Sequence, residues 1–157
     1  MNLLKNKFHL GIFALSIIGN LVFLPSAEGT ANNNLAVTVN GLKNQKGQIC
    51  FSLFSSSRGF PKSNKRALQA KCVKLRNNSV KLNIPSLKAG TYALAMFHDI
   101  NGDGKLNTNS LGIPKEGFGF SRNPRILTGP PKFGDSAVFV VGSSTNIQIN
   151  LNYLFGS

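Results

Sequence analysis

Apolar residues alternate with polar ones in short runs along this chain, and turn residues such as Gly, Asn and Pro separate the runs. Because successive side chains of a strand point to opposite faces, a period of two predicts β-strands. Seven runs fit this pattern, at residues 35–39, 49–53, 70–73, 80–84, 91–97, 138–141 and 147–151. The run 91–97 is apolar on both faces and therefore predicts a central, fully buried strand.

Amphipathic helices of useful length are missing from the pattern, and only residues 63–69 have room for one helical turn. Short strands joined by frequent turns are typical of two packed sheets. We therefore expect an all-β fold, an antiparallel two-sheet sandwich of about seven strands, of the immunoglobulin-like or prealbumin-like kind. Residues 32–157 should form one domain with one core.

The N-terminal residues predict a secretory signal peptide over residues 1–29. Lys5 and Lys7 precede an almost wholly apolar stretch at 10–24, and small residues follow, so that cleavage is expected between 27 and 31. An uncleaved anchor is the alternative, although the stretch is shorter than the roughly 20 residues that a membrane-spanning helix needs. We expect a secreted or periplasmic protein with no transmembrane segment after cleavage.

Two cysteines, Cys50 and Cys72, fall in the predicted mature chain. An exported chain with an even number of cysteines usually pairs them, so the sequence predicts one disulfide. Two buried free thiols are the alternative.

The chain is strongly basic, with 18 Lys and Arg against five acids. Loss of the leader leaves 16 basic and four acidic residues, a balance that favours an anionic polymer or surface, such as an anionic envelope polymer, as partner. The basic residues are scattered and lack the interleaved aromatics that stack on nucleobases, so we expect no nucleic acid.

A segment at 99–134 interrupts the strand pattern with seven of the 16 glycines and four of the seven prolines. Connections of this length are uncommon in compact domains and are usually functional or disordered. Its apolar residues favour a structured lid packed onto the sandwich.

The first residues of this segment follow the calcium-loop pattern D-x-[DN]-x-[DN]-G. Calcium requires hard oxygen ligands, and the candidates are the side chains of Asp99, Asn101, Asp103 and Asn107 and the backbone carbonyl of Lys105. Position twelve is Ser110 instead of the usual glutamate, with Asn109 or Glu116 as substitutes, so the expected affinity is weak, about 10⁻⁴ to 10⁻³ M. The alternative is that these residues make consecutive turns without a metal.

Three stretches of the chain carry a family resemblance: 92–106 (YALAMFHDINGDGKL), 111–121 (LGIPKEGFGFS) and 129–133 (GPPKF). Together they resemble the bacterial family known as domain of unknown function 2141. The resemblance implies an exported β-sandwich and no established activity. Many members carry an acid at the place of Asn107, and the amide here reduces the expected metal affinity.

Three functions fit these features. The first is a non-enzymatic binding or cell-envelope module with a calcium-stabilised loop, for which the ligand-binding candidates are Arg122, Arg125, Lys132, Phe118 and Phe120, the two phenylalanines being alternatively loop anchors. The second is a structural accessory domain that pairs with an envelope protein by β-addition. The third, a hydrolase using His98, meets the objection that His98 and Asp99 point to opposite faces of a strand, and we expect no enzyme.

Overall fold

A computed structural model describes residues 33–76 and 80–155. The strands are β1 (Asn33–Asn40), β2 (Gln48–Phe54), β3 (Gln69–Lys74), β4 (Val80–Leu87), β5 (Gly90–Asp99), β6 (Phe118–Phe120), β7 (Ala137–Val140) and β8 (Ser144–Asn150). A 3-10 turn covers Asn64–Arg66, within the predicted helical turn, and a short helix, α1, covers Phe133–Ser136. The predicted all-β, two-sheet sandwich is confirmed. The predicted leader lies outside the described residues.

The smaller sheet has the strand order β4-β1-β8. Strand β1 pairs antiparallel with β4 but parallel with β8, which corrects the expectation of purely antiparallel pairing. A period of two reports which face of a strand is buried but contains no information on the direction of its neighbour. The parallel pair is possible because the long chain between β1 and β8 supplies the crossover that parallel strands require.

The larger sheet has the strand order β3-β2-β5-β6, and β7 also pairs with β5. Strand β2 lies along one edge of β5. The other edge of β5 is shared, because β6 pairs with its residues 95–97 and β7 with its residues 90–93. Strand β5 is therefore the central strand that the apolar run at 91–97 predicts.

Both faces of the larger sheet carry a buried cluster. One face packs on the smaller sheet in a core that includes Leu35, Ile49, Leu94 and Ile149. The opposite face carries a second cluster, formed by Phe54, Ala95, Phe118 and Phe120 with Phe60, Ile126 and Phe133 packed against it. The chain that follows β2 and β6 thus covers the outer face of the sheet, which explains why β5 is apolar on both sides.

A disulfide joins Cys50 of β2 to Cys72 of β3, as the sequence predicts, and the two residues stand opposite each other in the antiparallel register. Strand β3 is an edge strand whose side chains are mostly exposed. The bond therefore fixes an edge strand that contributes little to either core. In the described part of the chain, neither helix is long and apolar enough to cross a membrane.

Candidate functional site

The calcium-type loop, residues 99–107, begins at the last residue of β5 and is held from inside by Asp99. The Asp99 carboxylate is fully buried, with Oδ1 accepting the backbone N–H groups of Gly102 (2.7 Å) and Asp103 (3.2 Å). Its Oδ2 accepts the N–H of Gly104 (2.7 Å) and the side-chain amide of Gln48 (2.8 Å). A carboxylate offers about four acceptor sites, so these four donors use the capacity of Asp99.

Glu116 closes the same loop from the other side. The residue is 5% exposed, and its carboxylate accepts the N–H of Ile100 at Oε1 (3.0 Å) and the N–H of Asn107 at Oε2 (2.9 Å). One buried side chain therefore joins both ends of the calcium-type loop. Sequence reasoning named Glu116 only as a substitute metal ligand, although its position just before an apolar strand in a basic chain was a usable signal for a buried acceptor.

Three of the five predicted calcium ligands meet on the exposed side of the loop. Asp103 Oδ2 accepts the side-chain amides of Asn101 (3.1 Å) and Asn107 (3.0 Å), and Oδ1 accepts the N–H of Lys105 (2.9 Å). The amide of Asn107, followed by the Lys105 N–H, holds the pKa of Asp103 below its usual value. The loop thus presents an ionised carboxylate between two amides, whereas Asp99 faces inward.

Within residues 33–76 and 80–155, one group of three Cys, His, Asp or Glu side chains places its possible metal-ligand atoms close together. Atoms of Cys50, Cys72 and Asp99 lie within 4.8 Å of one another. The two sulfurs are bonded to each other and are not thiolates, so this group does not have the donors of a thiolate metal site.

His98 is fully buried beside the loop, and both of its ring nitrogens are engaged. Nε2 lies 2.8 Å from the Lys46 carbonyl oxygen, which only accepts, so Nε2 carries the proton and Nδ1 accepts from the Tyr153 hydroxyl at 2.7 Å. Burial raises the pKa of Tyr153. In this arrangement, His98 is a hydrogen-bonded strand-end residue and presents no free nitrogen to a substrate.

A concave surface, here called the basic cleft, lies in the segment between β6 and α1. Its volume is about 520 Å³, and its lining includes Arg122, Arg125, Thr128, Lys132 and Asp135. The structure thus brings the three cations that the sequence nominates for binding into one concavity.

Arg122, which lines the basic cleft, lies in an ordered turn. Arg122 and Asn123 both have positive φ, 64° and 48°, a conformation uncommon for side chains with a Cβ. The Asn123 side chain holds the turn against β8, donating to the carbonyl of Gln148 (3.0 Å) and accepting the N–H of Asn150 (2.8 Å). The backbone position of Arg122 is fixed by these contacts.

Phe118 and Phe120 are not among the residues that line the basic cleft. They are 6% and 7% exposed and pack in the second core cluster. Because β6 places both side chains on the same face, both turn inward against Phe60 and Phe54, and they serve as the loop anchors that the alternative reading describes.

A second concavity, the apolar cleft, adjoins the first. Its volume is about 620 Å³, and its lining is Ser57, Gly59, Phe60, Pro61, Lys62, Ser63, Pro130, Pro131, Lys132 and Phe133. Pro130, Pro131 and Lys132 line both clefts and form a ridge between them.

The family model described as "Uncharacterized protein conserved in bacteria (DUF2141)" matches residues 37–148. The match extends from β1 into β8 and includes the calcium-type loop and both clefts. The chain belongs to this family. No curated protein and no solved structure matches the DUF2141 chain.

The described part of the DUF2141 chain has 16 Lys and Arg and four acids, and no cation there lies within 4.0 Å of a carboxylate. Each acid instead accepts backbone N–H groups, as Asp99, Asp103 and Glu116 do in the loop and Asp135 does from Lys132 (3.0 Å). Within residues 33–76 and 80–155, ion pairs therefore do not neutralise the positive charge of the surface.

Proposed function

We propose that this DUF2141 protein is an exported, non-enzymatic binding module of the cell envelope, and that its basic cleft holds anionic groups of an envelope polymer. One observation carries the proposal: Arg122, Arg125 and Lys132 line a single concavity. The predicted leader and the disulfide support the secreted or periplasmic assignment, because disulfides persist in oxidising compartments.

The chemistry of the cleft suits phosphate or carboxylate groups. An arginine guanidinium donates two parallel N–H bonds to such groups, and lysine adds a point charge. Arg122 makes only a long contact with the Gly134 carbonyl (3.4 Å), so most of its donors are available to a ligand. Because Asn123 fixes the adjacent turn to β8, a bound anion meets a partly organised site.

The proposal includes a calcium-stabilised loop at 99–134. Asp103 supports it, because an exposed carboxylate with a lowered pKa stays ionised. Asn101 and Asn107 now direct their amide nitrogens at Asp103, and rotation of each side-chain amide would direct its oxygen there as a ligand. Asp99 already uses its acceptors on N–H donors, so its contribution is to shape the loop. We therefore propose weak calcium binding centred on Asp103.

The alternative proposal, an accessory domain that pairs with an envelope protein through an edge strand, has less support. Edge strand β4 contains Pro85, which lacks an N–H, and edge strand β3 carries Lys71 and Lys74. Charges and proline on edges discourage pairing with another chain. On edge strand β8, the Asn123 side chain already bonds to the carbonyl of Gln148 and the N–H of Asn150, so these groups are not available to another chain.

Titration of the mature protein with inorganic polyphosphate, followed by calorimetry, tests the cleft. The variant Arg122→Gln/Arg125→Gln/Lys132→Gln should bind at least tenfold more weakly, because a hydrogen bond to a charged group is worth about 1.5–3 kcal/mol and about 1.4 kcal/mol is a factor of ten. The matched control, Lys71→Gln/Lys74→Gln/Lys81→Gln, removes the same charge from exposed strand positions outside the cleft. Equal losses in the two variants would show that charge alone, and no site, attracts the polymer.

A further inference from the structure

The basic cleft and the apolar cleft are two compartments of one continuous surface. They share Pro130, Pro131 and Lys132, so a ligand in one compartment reaches the other by crossing this ridge. The compartments differ in chemistry, because Arg122 and Arg125 line only the basic cleft and Phe60 and Phe133 only the apolar one.

The apolar cleft has a preformed wall. The rings of Phe60 and Phe133 meet edge to face, with centroids 5.9 Å apart, and Phe60 meets Phe54 in the same way, with centroids 5.3 Å apart. The second core cluster thus fixes the aromatic wall before any ligand arrives. Lys62 and Lys132 line the same cleft and add positive charge to it.

We propose that the two clefts form a single site for an anionic amphiphile, with its phosphate or carboxylate head in the basic cleft and a short alkyl portion across the ridge in the apolar cleft. The placement of the head rests on the proposed function, whereas the alkyl portion is new.

Charge and polarity together select this occupant. A purely polyanionic ligand would leave the Phe60 and Phe133 wall in water, and a neutral lipid would leave the cations of the ridge and basic cleft unmatched. Ligand sites typically join an apolar wall to a few placed polar groups, and volumes of about 300–1,000 Å³ are usual for them. Each of the two compartments falls in that range.

A homologous series of ethyl, butyl, hexyl and octyl phosphate, each used as monomer, tests the proposal by calorimetry. Each methylene that enters the apolar cleft should tighten binding by up to about fourfold, since burying a methylene is worth about 0.8 kcal/mol. The affinity should stop rising once the cleft is filled. If all four phosphates bind equally, the head site stands and the amphiphile proposal fails; if none binds, the proposed function fails with it.

Two variants test where the alkyl portion of the ligand binds. Ser57→Trp, at an exposed position on the apolar cleft, should lower the affinity for octyl phosphate and leave that for ethyl phosphate unchanged. Ser143→Trp, at an exposed position outside both clefts, is the matched control, and an equal effect of both variants would overturn the assignment. Co-sedimentation with phosphatidylglycerol vesicles then separates two sources of the same chemistry: binding supports a bilayer headgroup, and binding of monomers alone supports a free amphiphile.

Discussion

Asp99 and Glu116 are buried carboxylates in a basic chain, yet backbone N–H groups and one amide surround them, with no cation within 4.0 Å in the described structure. A carboxylate that accepts several N–H bonds is stabilised in its charged form without an ion pair. The spacing D-x-N-x-D-G serves this purpose as well as it serves calcium, because Asp and Asn side chains fold back on nearby N–H groups in both cases. The pattern therefore predicts which residues come together, but it does not predict that Asp99 binds N–H groups of its own loop.

Glu116→Gln tests whether this residue clamps the calcium-type loop. The amide keeps the shape but replaces one acceptor oxygen with an N–H donor, which would face the N–H of Ile100 or Asn107. Leaving a buried donor unsatisfied costs about 1–3 kcal/mol, so the free energy of unfolding measured in urea should fall by that amount. Asp135→Asn, which alters an exposed carboxylate that also accepts an N–H, should change it by less; equal effects would contradict the clamp.

The raised pKa of Tyr153 predicts that the free energy of unfolding falls at alkaline pH. Burial raises its pKa above the ordinary value of 10.0, so the unfolded chain releases the proton first. Its contribution is complete below about pH 10 and declines as the pH rises through the folded pKa. Urea unfolding between about pH 8 and about pH 11 should show this decline, and Tyr153→Phe should show less of it.

The same variant provides a spectroscopic check. The chain has two tyrosines, so the difference between the tyrosinate absorbance of the wild type and that of Tyr153→Phe isolates the titration of Tyr153. A midpoint at or below the ordinary tyrosine value would contradict the prediction. At neutral pH the variant should also lose stability, because His98 Nδ1 then lacks the hydroxyl that donates to it.

At the scale of elements, the alternating runs located seven strands, and the structure contains an eighth, β6. Strand β6 has three residues, Phe118, Gly119 and Phe120, which is too short for a period to be read. Gly119 is required there, because a Cβ would crowd Ile149 and the backbone of Asn150. Close approach of β6 to β8 is a tertiary contact, and the sequence indicates it only as an unexplained glycine.

At the scale of elements, calcium binding by the calcium-type loop should change the melting temperature of the protein. Calcium at millimolar concentration should raise the melting temperature, because a ligand of the native state stabilises it by mass action. Asp103→Asn should abolish the rise, since the exposed carboxylate supplies the charge, and acidification below the lowered pKa of Asp103 should do the same. Asp99→Asn is not informative about the metal, because it disturbs four hydrogen bonds within the fold.

Two controls accompany that titration. Magnesium at the same concentration should shift the melting temperature less, because it demands near-ideal octahedral geometry and releases its water reluctantly. Asp135→Asn keeps the calcium-type loop intact and should respond as the wild type does. If the wild-type protein melts at the same temperature with and without calcium, the calcium proposal is wrong, and Asp99 and Glu116 hold the loop without a metal.

At the scale of the whole molecule, composition predicted a basic surface but not its organisation. Arg122, Arg125 and Lys132 lie in one irregular segment, and no periodic pattern of that segment indicates that its fold, with the turn at Asn123 held against β8, places them in one concavity. The apolar cleft joins two segments that are distant in sequence, since its walls come from the chain after β2 and the chain before α1. Sequence patterns describe neighbours along an element, and they contain no information on such a contact.

The unneutralised charge makes a last prediction for the whole molecule. With 16 cations, four acids and no ion pair within 4.0 Å in the described residues, the native state repels itself more than the expanded unfolded chain does. Sodium chloride screens this repulsion, with a Debye length that falls from about 30 Å at 0.01 M to about 10 Å at 0.1 M, so the melting temperature should rise with salt over that range. The Lys71→Gln/Lys74→Gln/Lys81→Gln variant should melt higher than the wild type at low salt and gain less from added salt. A melting temperature that falls on adding salt would mean that attractive charge contacts dominate, which the bonding of the acids to backbone and amide N–H groups instead of cations argues against.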